Sequence, residues 1–239
     1  MPSYRRNAIA AGVLFIACSA ASILRLVPLG SMLDAPVDLA RLAANDNRVI
    51  LAALIEFVWA ISGAGIAIAL YPVLRRQNRA LALGSVAARI VEGAFVLIGS
   101  LSLVTLLSVS QETVAGGSAD AASFQAVGTS LLAVRDWAHG FIGFLPFALG
   151  ALMYYYLLYR SRLVPRWLSG WGLVGAGLCL AATVYSGFTQ EFGFSNVNTV
   201  LNIPIGVQEM VLAVWLIVKG FNTSAVTAQR AAHVEVSMA

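Results

Sequence analysis

Charged residues are scarce in this chain of 239 residues, and lysine is almost missing, since Lys219 is the only one. Charged side chains make up 11% of the sequence, whereas a soluble globular domain carries about 25%. Hydrophobic residues reach 59%, and the mean hydropathy is +0.83. This composition is typical of a polytopic membrane protein. The basic residues form no face with interleaved aromatic side chains, so we expect no nucleic-acid partner.

Cysteine and histidine are also rare, with two residues of each. Cys18 and Cys179 lie inside apolar runs, which favours buried thiols that behave as small hydrophobic side chains. No CxxC, HExxH, P-loop or GxSxG pattern is present. Zinc needs several His or Cys ligands, and only His139 lies near the candidate polar residues. We therefore expect no metal and no cofactor.

Six apolar stretches are long enough to cross a bilayer, which takes about 20 residues of α-helix. These stretches are 8–27, 49–70, 81–109, 137–158, 168–187 and 203–219. The sequence therefore predicts an all-α polytopic membrane protein with one six-helix transmembrane domain over residues 1–221. Residues 222–239 are polar, and we expect them to form a disordered tail. The first stretch resembles a signal peptide but continues past Cys18, so we expect an uncleaved helix.

The connections between the six stretches alternate in charge and in length. The short connections carry basic residues, namely Arg75, Arg76, Arg79, Arg160, Arg162 and Arg166. The long connections carry acidic residues, namely Asp34, Asp38, Asp46, Glu112, Asp120 and Glu191. The positive-inside rule then predicts that both termini are cytoplasmic. Function is more often found in long loops, so we expect 188–202 to be either a lid or an interfacial loop.

Arg89 and Glu92 lie in the middle of the third apolar stretch, where a charged side chain is costly and normally faces a partner or a cavity. Residues three apart share one helix face, so this pair predicts an ion pair or a joint polar surface. Glu56 and Glu209 lie at compatible depths in other stretches, at about 1.5 Å per residue. We therefore expect one binding cluster that opens to the outer side. Its outer mouth is predicted to carry Arg135, Asp136 and His139.

These residues are compatible with three classes of function. The first is binding or transport of a small molecule, lipid or ion, with Glu92 or Glu209 titrating and Arg89 as counter-ion. The second is an intramembrane enzyme that uses acid/base chemistry on lipid or peptide, for which no catalytic residue is assigned. The third is a non-catalytic sensor or assembly protein in which the charges specify helix register. The expected partners are membrane lipids, together with a second copy of the chain because no clear inverted repeat is present.

Three segments of the chain carry a resemblance to a known bacterial family. They are Pro-Arg-Trp-Leu-Ser with Trp-Gly-Leu in 165–173, the Arg-Ile-Val-Glu-Gly segment at 89–93, and Glu209 followed by 213–221. In these segments the chain resembles the bacterial domain-of-unknown-function family 4386, and the likeness extends over nearly the whole sequence. The resemblance implies a six-helix protein of the bacterial inner membrane and implies no activity.

Overall fold

The computed structural model describes residues 2–34, 36–116, 121–193, 195–222 and 224, and the regular structure of this part is entirely helical. In chain order the helices are α1 (Pro2–Leu24), α2 (Leu26–Leu29), α3 (Leu39–Ala43), α4 (Asp46–Leu74), α5 (Arg79–Gly116), α6 (Ala121–Trp137), α7 (Phe144–Ser161), α8 (Arg166–Thr189) and α9 (Asn196–Val218). Six helical stretches are long and apolar enough to cross a membrane. The prediction of an all-α protein with six spans is therefore confirmed.

The six spans form a closed ring in chain order. Each span packs against the next one, and α9 returns to pack against α1. The centre of the ring is filled by buried side chains such as Phe15, Tyr154 and Leu212. Apolar side chains on the outside remain exposed, for example Leu101 at 66%. Exposed apolar side chains around the outside of the ring are what contact with lipid requires.

The third and fourth spans extend well beyond their predicted ends. Helix α5 has 38 residues, which corresponds to about 57 Å, whereas the hydrocarbon core of a bilayer is about 30 Å thick. Residues 110–116 and 121–136 therefore form helix where the sequence predicts an outer loop, and Asp120 lies outside the described residues. A second hydrophobic cluster supports this extension, with members Leu29, Met32, Val37, Leu39, Leu42, Val49, Ala52, Leu103, Leu106 and Leu107.

The last connection is shorter than the predicted 188–202 loop, since α8 ends at Thr189 and α9 begins at Asn196. The Ser195 hydroxyl accepts a hydrogen bond from the Asn198 backbone N–H and so caps α9. Pro204 consequently lies well inside α9 and not at its start. The tail predicted over 222–239 lies outside the described residues, apart from Asn222 and Ser224.

One turn of π-helix, Ala138–Ile142, interrupts the fourth span between α6 and α7. The backbone N–H of Gly143 donates to the carbonyl of Ala138, five residues earlier, at 2.9 Å. Pro146 lies in the first turn of α7, where its missing N–H is harmless. The irregularity of this span therefore precedes the proline. Single π-turns inside α-helices occur frequently at functional sites.

Gly175 lies at a close crossing of α8 and α9. A Cβ atom at this position would lie 3.0 Å from both Cα and Cβ of Ile205. Because backbone cannot move aside as a flexible side-chain end can, we expect Gly175→Ala to lower the free energy of unfolding by about 1–3 kcal/mol. Gly177→Ala is the matched control, since a Cβ there meets open space. Thermal unfolding in detergent compares the two variants, and equal midpoints would contradict the close crossing.

Candidate functional site

The buried charged residues of the ring, with the hydroxyl groups that donate to them, form two groups. The outer network, named for the side of the membrane that the sequence predicts for it, comprises Glu56, Arg25, Arg135 and Ser100. The inner cluster comprises Arg89, Glu92, Glu209 and Tyr154. On α5, Ser100 follows Glu92 by eight residues, which is about 12 Å along the helix axis. The candidate residues are therefore divided between two depths.

The outer network is centred on the Glu56 carboxylate of α4, which is 0% exposed. Its Oε1 atom lies 3.3 Å from Arg25 Nη1 and also pairs with Arg135 Nη2. Its Oε2 atom accepts a hydrogen bond from Ser100 Oγ at 2.5 Å and one from Arg135 Nη1 at 3.1 Å. One carboxylate thereby joins the end of α1 to α4, α5 and α6. Two guanidinium groups around it leave the network with an excess of positive charge.

His139 lies in the π-turn beneath the outer network. Its Nε2 atom lies 3.0 Å from the Val96 carbonyl oxygen, so it carries the proton and donates. Its ring meets the Trp59 ring edge-on, with centroids 5.5 Å apart. Gly99 makes room for this ring, because a Cβ at residue 99 would collide with it. Asp136, the next candidate residue, is exposed and attracts Arg135 only at longer range.

The inner cluster is built around Arg89, which is 1% exposed. Its Nη1 atom lies 2.9 Å from Glu92 Oε2, as the spacing of three residues predicts. Its Nε atom donates to the Gly63 carbonyl of α4 at 3.1 Å, and its Nη2 atom lies 3.6 Å from Cys18 Sγ of α1. The guanidinium carbon also lies 4.9 Å from the centroid of the Phe147 ring of α7. Arg89 thus contacts three neighbouring helices at once.

Glu209 completes the inner cluster from α9. Its Oε1 atom accepts a hydrogen bond from the Tyr154 hydroxyl at 3.3 Å. It interacts electrostatically with Arg89, but none of the described cations forms an ion pair with it. One guanidinium therefore faces two carboxyl groups, Glu92 and Glu209. If both were ionised, the inner cluster would carry a net charge of −1.

A packed layer separates the outer network from the inner cluster. Trp59 lies one helical turn after Glu56 and one turn before Gly63, and its ring contacts His139. Just below, α4 and α5 approach closely, since a Cβ at Gly93 would lie 3.2 Å from the Ala60 carbonyl oxygen. Two surface pockets lie at the opposite end of the ring, near the start of α8 and the end of α9. None of the candidate residues lines either pocket.

One family of known sequences matches this chain. The model of the family described as Domain of unknown function (DUF4386) matches residues 10–220. The chain belongs to this family. The resemblance predicted from the three segments is therefore confirmed, and this DUF4386 member is a multi-pass membrane protein by its six apolar helices. No curated protein and no solved structure matches the chain.

Several polar partners in this DUF4386 protein are not among the candidates predicted from the sequence. Arg25 was detectable as a lone arginine at the end of the first apolar stretch, between Leu24 and Leu26. Tyr154 and Tyr155 belong to an aromatic run that is typical of a membrane interface, yet both are fully buried. Ser100 carries no such signal, because a serine inside an apolar helix usually bonds its own backbone.

The outer network does not pair a serine hydroxyl with a histidine base. The Ser100 hydroxyl lies 2.5 Å from the Glu56 carboxylate, while His139 Nε2 faces the Val96 carbonyl. His139 is therefore not placed to take a proton from the Ser100 hydroxyl. Among the described residues, no three His, Cys, Asp or Glu side chains are grouped closely enough to hold a metal ion.

Proposed function

We propose that this DUF4386 protein binds a proton or a small cation at the inner cluster and transports it across the bacterial inner membrane. The observation that carries this proposal is that Glu92 and Glu209 share one buried cation, Arg89. An unbalanced charge inside a membrane is costly, and ionisable residues at such depth mark ion and proton pathways. One proton or one monovalent cation at Glu209 balances the charge.

In this proposal the outer network is a closed gate above the inner cluster. Glu56 holds two arginine side chains across the top of the ring, and Trp59 packs below it. The π-turn offers a hinge next to this gate. Phe192 of the last connection packs against Trp137, with ring centroids 5.0 Å apart, so this connection covers the hinge. Release of Arg135 from Glu56 opens the ring toward the outer side.

The orientation belongs to the same proposal. The connections 75–78 and 162–165, with the basic residues around them, lie at the end of the ring opposite the outer network. The positive-inside rule supports a cytoplasmic location for that end and for both termini. Six spans without two matched broken helices are few for a transporter, which favours a homodimer as the working unit.

Glu209→Gln is expected to abolish proton binding at the inner cluster, because an amide does not titrate. Infrared difference spectra of the protein in lipid, recorded between acidic and alkaline buffer, measure this through the C=O stretch of a buried protonated carboxyl. The band should disappear in Glu209→Gln and remain in Glu112→Gln, whose side chain is exposed near the far end of α5. A band that survives in both Glu209→Gln and Glu92→Gln would refute proton binding at this cluster.

The transport step has a test of its own. Proteoliposomes with an entrapped pH dye report proton uptake under an imposed membrane potential. We expect faster uptake for the wild type than for Glu209→Gln, and a wild-type rate for Glu112→Gln. Equal rates for all three proteins would count against transport even if the infrared band identified a bound proton.

A non-catalytic assembly role is the second candidate, and the outer network favours it. Glu56 joins side chains of α5 and α6 and the end of α1, and both of its carboxylate oxygens accept hydrogen bonds, as expected for a structural contact. Charges of this kind can specify which helices pair and in which register. Loss of the infrared band without any change in proton flux is the result that this second candidate predicts.

A further inference from the structure

A basic cavity of about 500 Å³ lies at the end of the ring opposite the outer network, between the α7–α8 connection and the end of α9. Three cationic residues line it, Arg162, Arg166 and Lys219, and all three are exposed. None of them forms an ion pair with a described acidic residue, and no acidic residue lines the cavity. The cavity therefore concentrates three unmatched positive charges.

The backbone holds these three charges around one opening. Arg162 ends α7 in the left-handed conformation with φ of 55°, Arg166 is the first residue of α8, and Lys219 directly follows α9. The Asn222 backbone N–H donates to the Leu163 carbonyl at 2.8 Å, which fastens the end of α9 to the α7–α8 connection. The charges are thereby placed by three chain segments that are joined to one another.

The three cationic side chains are available for a ligand, unlike a neighbouring arginine. Arg5 already donates to α9 carbonyls, with Nη2 at 2.7 Å from the Ile217 oxygen. The guanidinium carbon of Arg166, by contrast, lies 5.5 Å from the centroid of the Tyr159 ring. A ring contact orients the guanidinium without neutralising its charge.

An apolar groove of about 470 Å³ continues from this cavity along the membrane face of α9. Its lining consists of Met210, Val211, Val214, Trp215, Val218 and Lys219. Trp215 and Lys219 line both the groove and the cavity. From residue 210 to residue 219 the helix rises about 14 Å, close to half of a hydrocarbon core of about 30 Å. The groove therefore has the length of one leaflet.

We propose that the cavity and the groove together bind one anionic phospholipid, with its phosphate between Arg162, Arg166 and Lys219 and one acyl chain along α9. The match in charge favours a phosphate headgroup, because basic pockets between membrane helices attract anionic lipids. The apolar groove matches an acyl chain in chemistry and in depth. Trp215, at the junction, has the amphipathic ring that suits the boundary between headgroup and chain. This site is independent of the inner cluster.

Native mass spectrometry of the full chain in detergent, titrated with dioleoyl phosphatidylglycerol, tests the headgroup. The triple variant Arg162→Gln, Arg166→Gln, Lys219→Gln is expected to weaken binding of the first lipid by on the order of a hundredfold. The matched control is Arg75→Gln, Arg76→Gln, Arg79→Gln, which removes the same charge at the α4–α5 connection. We expect this control to bind as the wild type does. Equal weakening in the two triple variants would overturn the proposal, since it would show general electrostatic attraction.

A second pair of variants tests the acyl chain without altering charge. Val214→Trp fills the groove and is expected to weaken phosphatidylglycerol binding about tenfold. Val184→Trp, on the membrane face of α8 and outside the groove, should leave it unchanged. Glycerol 3-phosphate, which has the phosphate but no chains, distinguishes a lipid from a soluble phosphate ester. The lipid assignment is overturned if this compound binds as tightly as phosphatidylglycerol or if Val214→Trp has no effect.

Discussion

Glu56→Gln is expected to lower the free energy of unfolding by about 3–5 kcal/mol, because it removes one partner of a buried ion pair and leaves the other charged. Arg135 is 3% exposed and depends on this carboxylate for its counter-charge. Arg25 loses the same partner. The amide of glutamine also directs N–H groups toward the guanidinium N–H groups. Thermal unfolding in detergent, or titration with a denaturing detergent, measures the loss.

Two further variants calibrate this loss. Glu112→Gln removes an exposed carboxylate, and we expect a change within about 0.5 kcal/mol. Ser100→Ala removes one hydrogen bond to the Glu56 carboxylate and should cost about 1.5–3 kcal/mol. Equal unfolding temperatures of Glu56→Gln and Glu112→Gln would contradict this prediction. They would show that the arginine side chains reach water and that the outer network does not stabilise the ring.

Glu92→Leu alone is expected to cost about 3–5 kcal/mol, whereas Glu92→Leu combined with Arg89→Met should recover most of that loss. The single variant leaves Arg89 buried with its charge, since a guanidinium does not give up its proton. Glu209 compensates for the lost partner only in part, because it interacts with Arg89 without forming a direct ion pair. The double variant replaces the pair by two apolar side chains of similar volume.

A double-mutant cycle of Arg89→Met, Glu92→Leu and their combination measures the coupling between the two side chains. A coupling energy near zero would contradict a direct pair. A large coupling energy with normal proton binding in the double variant would assign the Arg89–Glu92 pair to stability and leave Glu209 as the binding group. The cycle thus separates the structural share of the inner cluster from its proposed function.

The α5–α6 hairpin illustrates where local sequence patterns are insufficient to predict the ends of a helix. Residues 110–116 and 121–136 contain polar and small side chains, which resemble a loop when each is considered alone. They are helical because α5 and α6 pack along each other and bury Leu106 and Leu107 in the second hydrophobic cluster. Helix stability in proteins comes mostly from such tertiary packing and only weakly from propensity. The same holds for α9, whose start at Asn196 depends on the Ser195 cap.

Two kinds of information were available from the sequence by itself. Hydropathy and length determined the number of spans, because a helix that crosses lipid must satisfy its backbone internally and present apolar side chains. The pairing of Arg89 with Glu92 was also predictable, since both lie on one helix and three residues apart. Family membership was also predictable, from the three short sequence segments that resemble the family.

Only the tertiary structure decided which buried charges meet. Glu56 pairs with Arg25, 31 residues earlier, and with Arg135, 79 residues later, while Glu209 approaches Arg89 from the last helix. Each of these contacts depends on the rotation of a helix about its own axis. That rotation is set by packing against neighbouring helices, through small residues such as Gly63 and Gly99 that admit a large side chain from another helix. The hydropathy of one helix does not specify which residues of a neighbouring helix it contacts. The division into an outer network and an inner cluster could therefore be seen only in the tertiary structure.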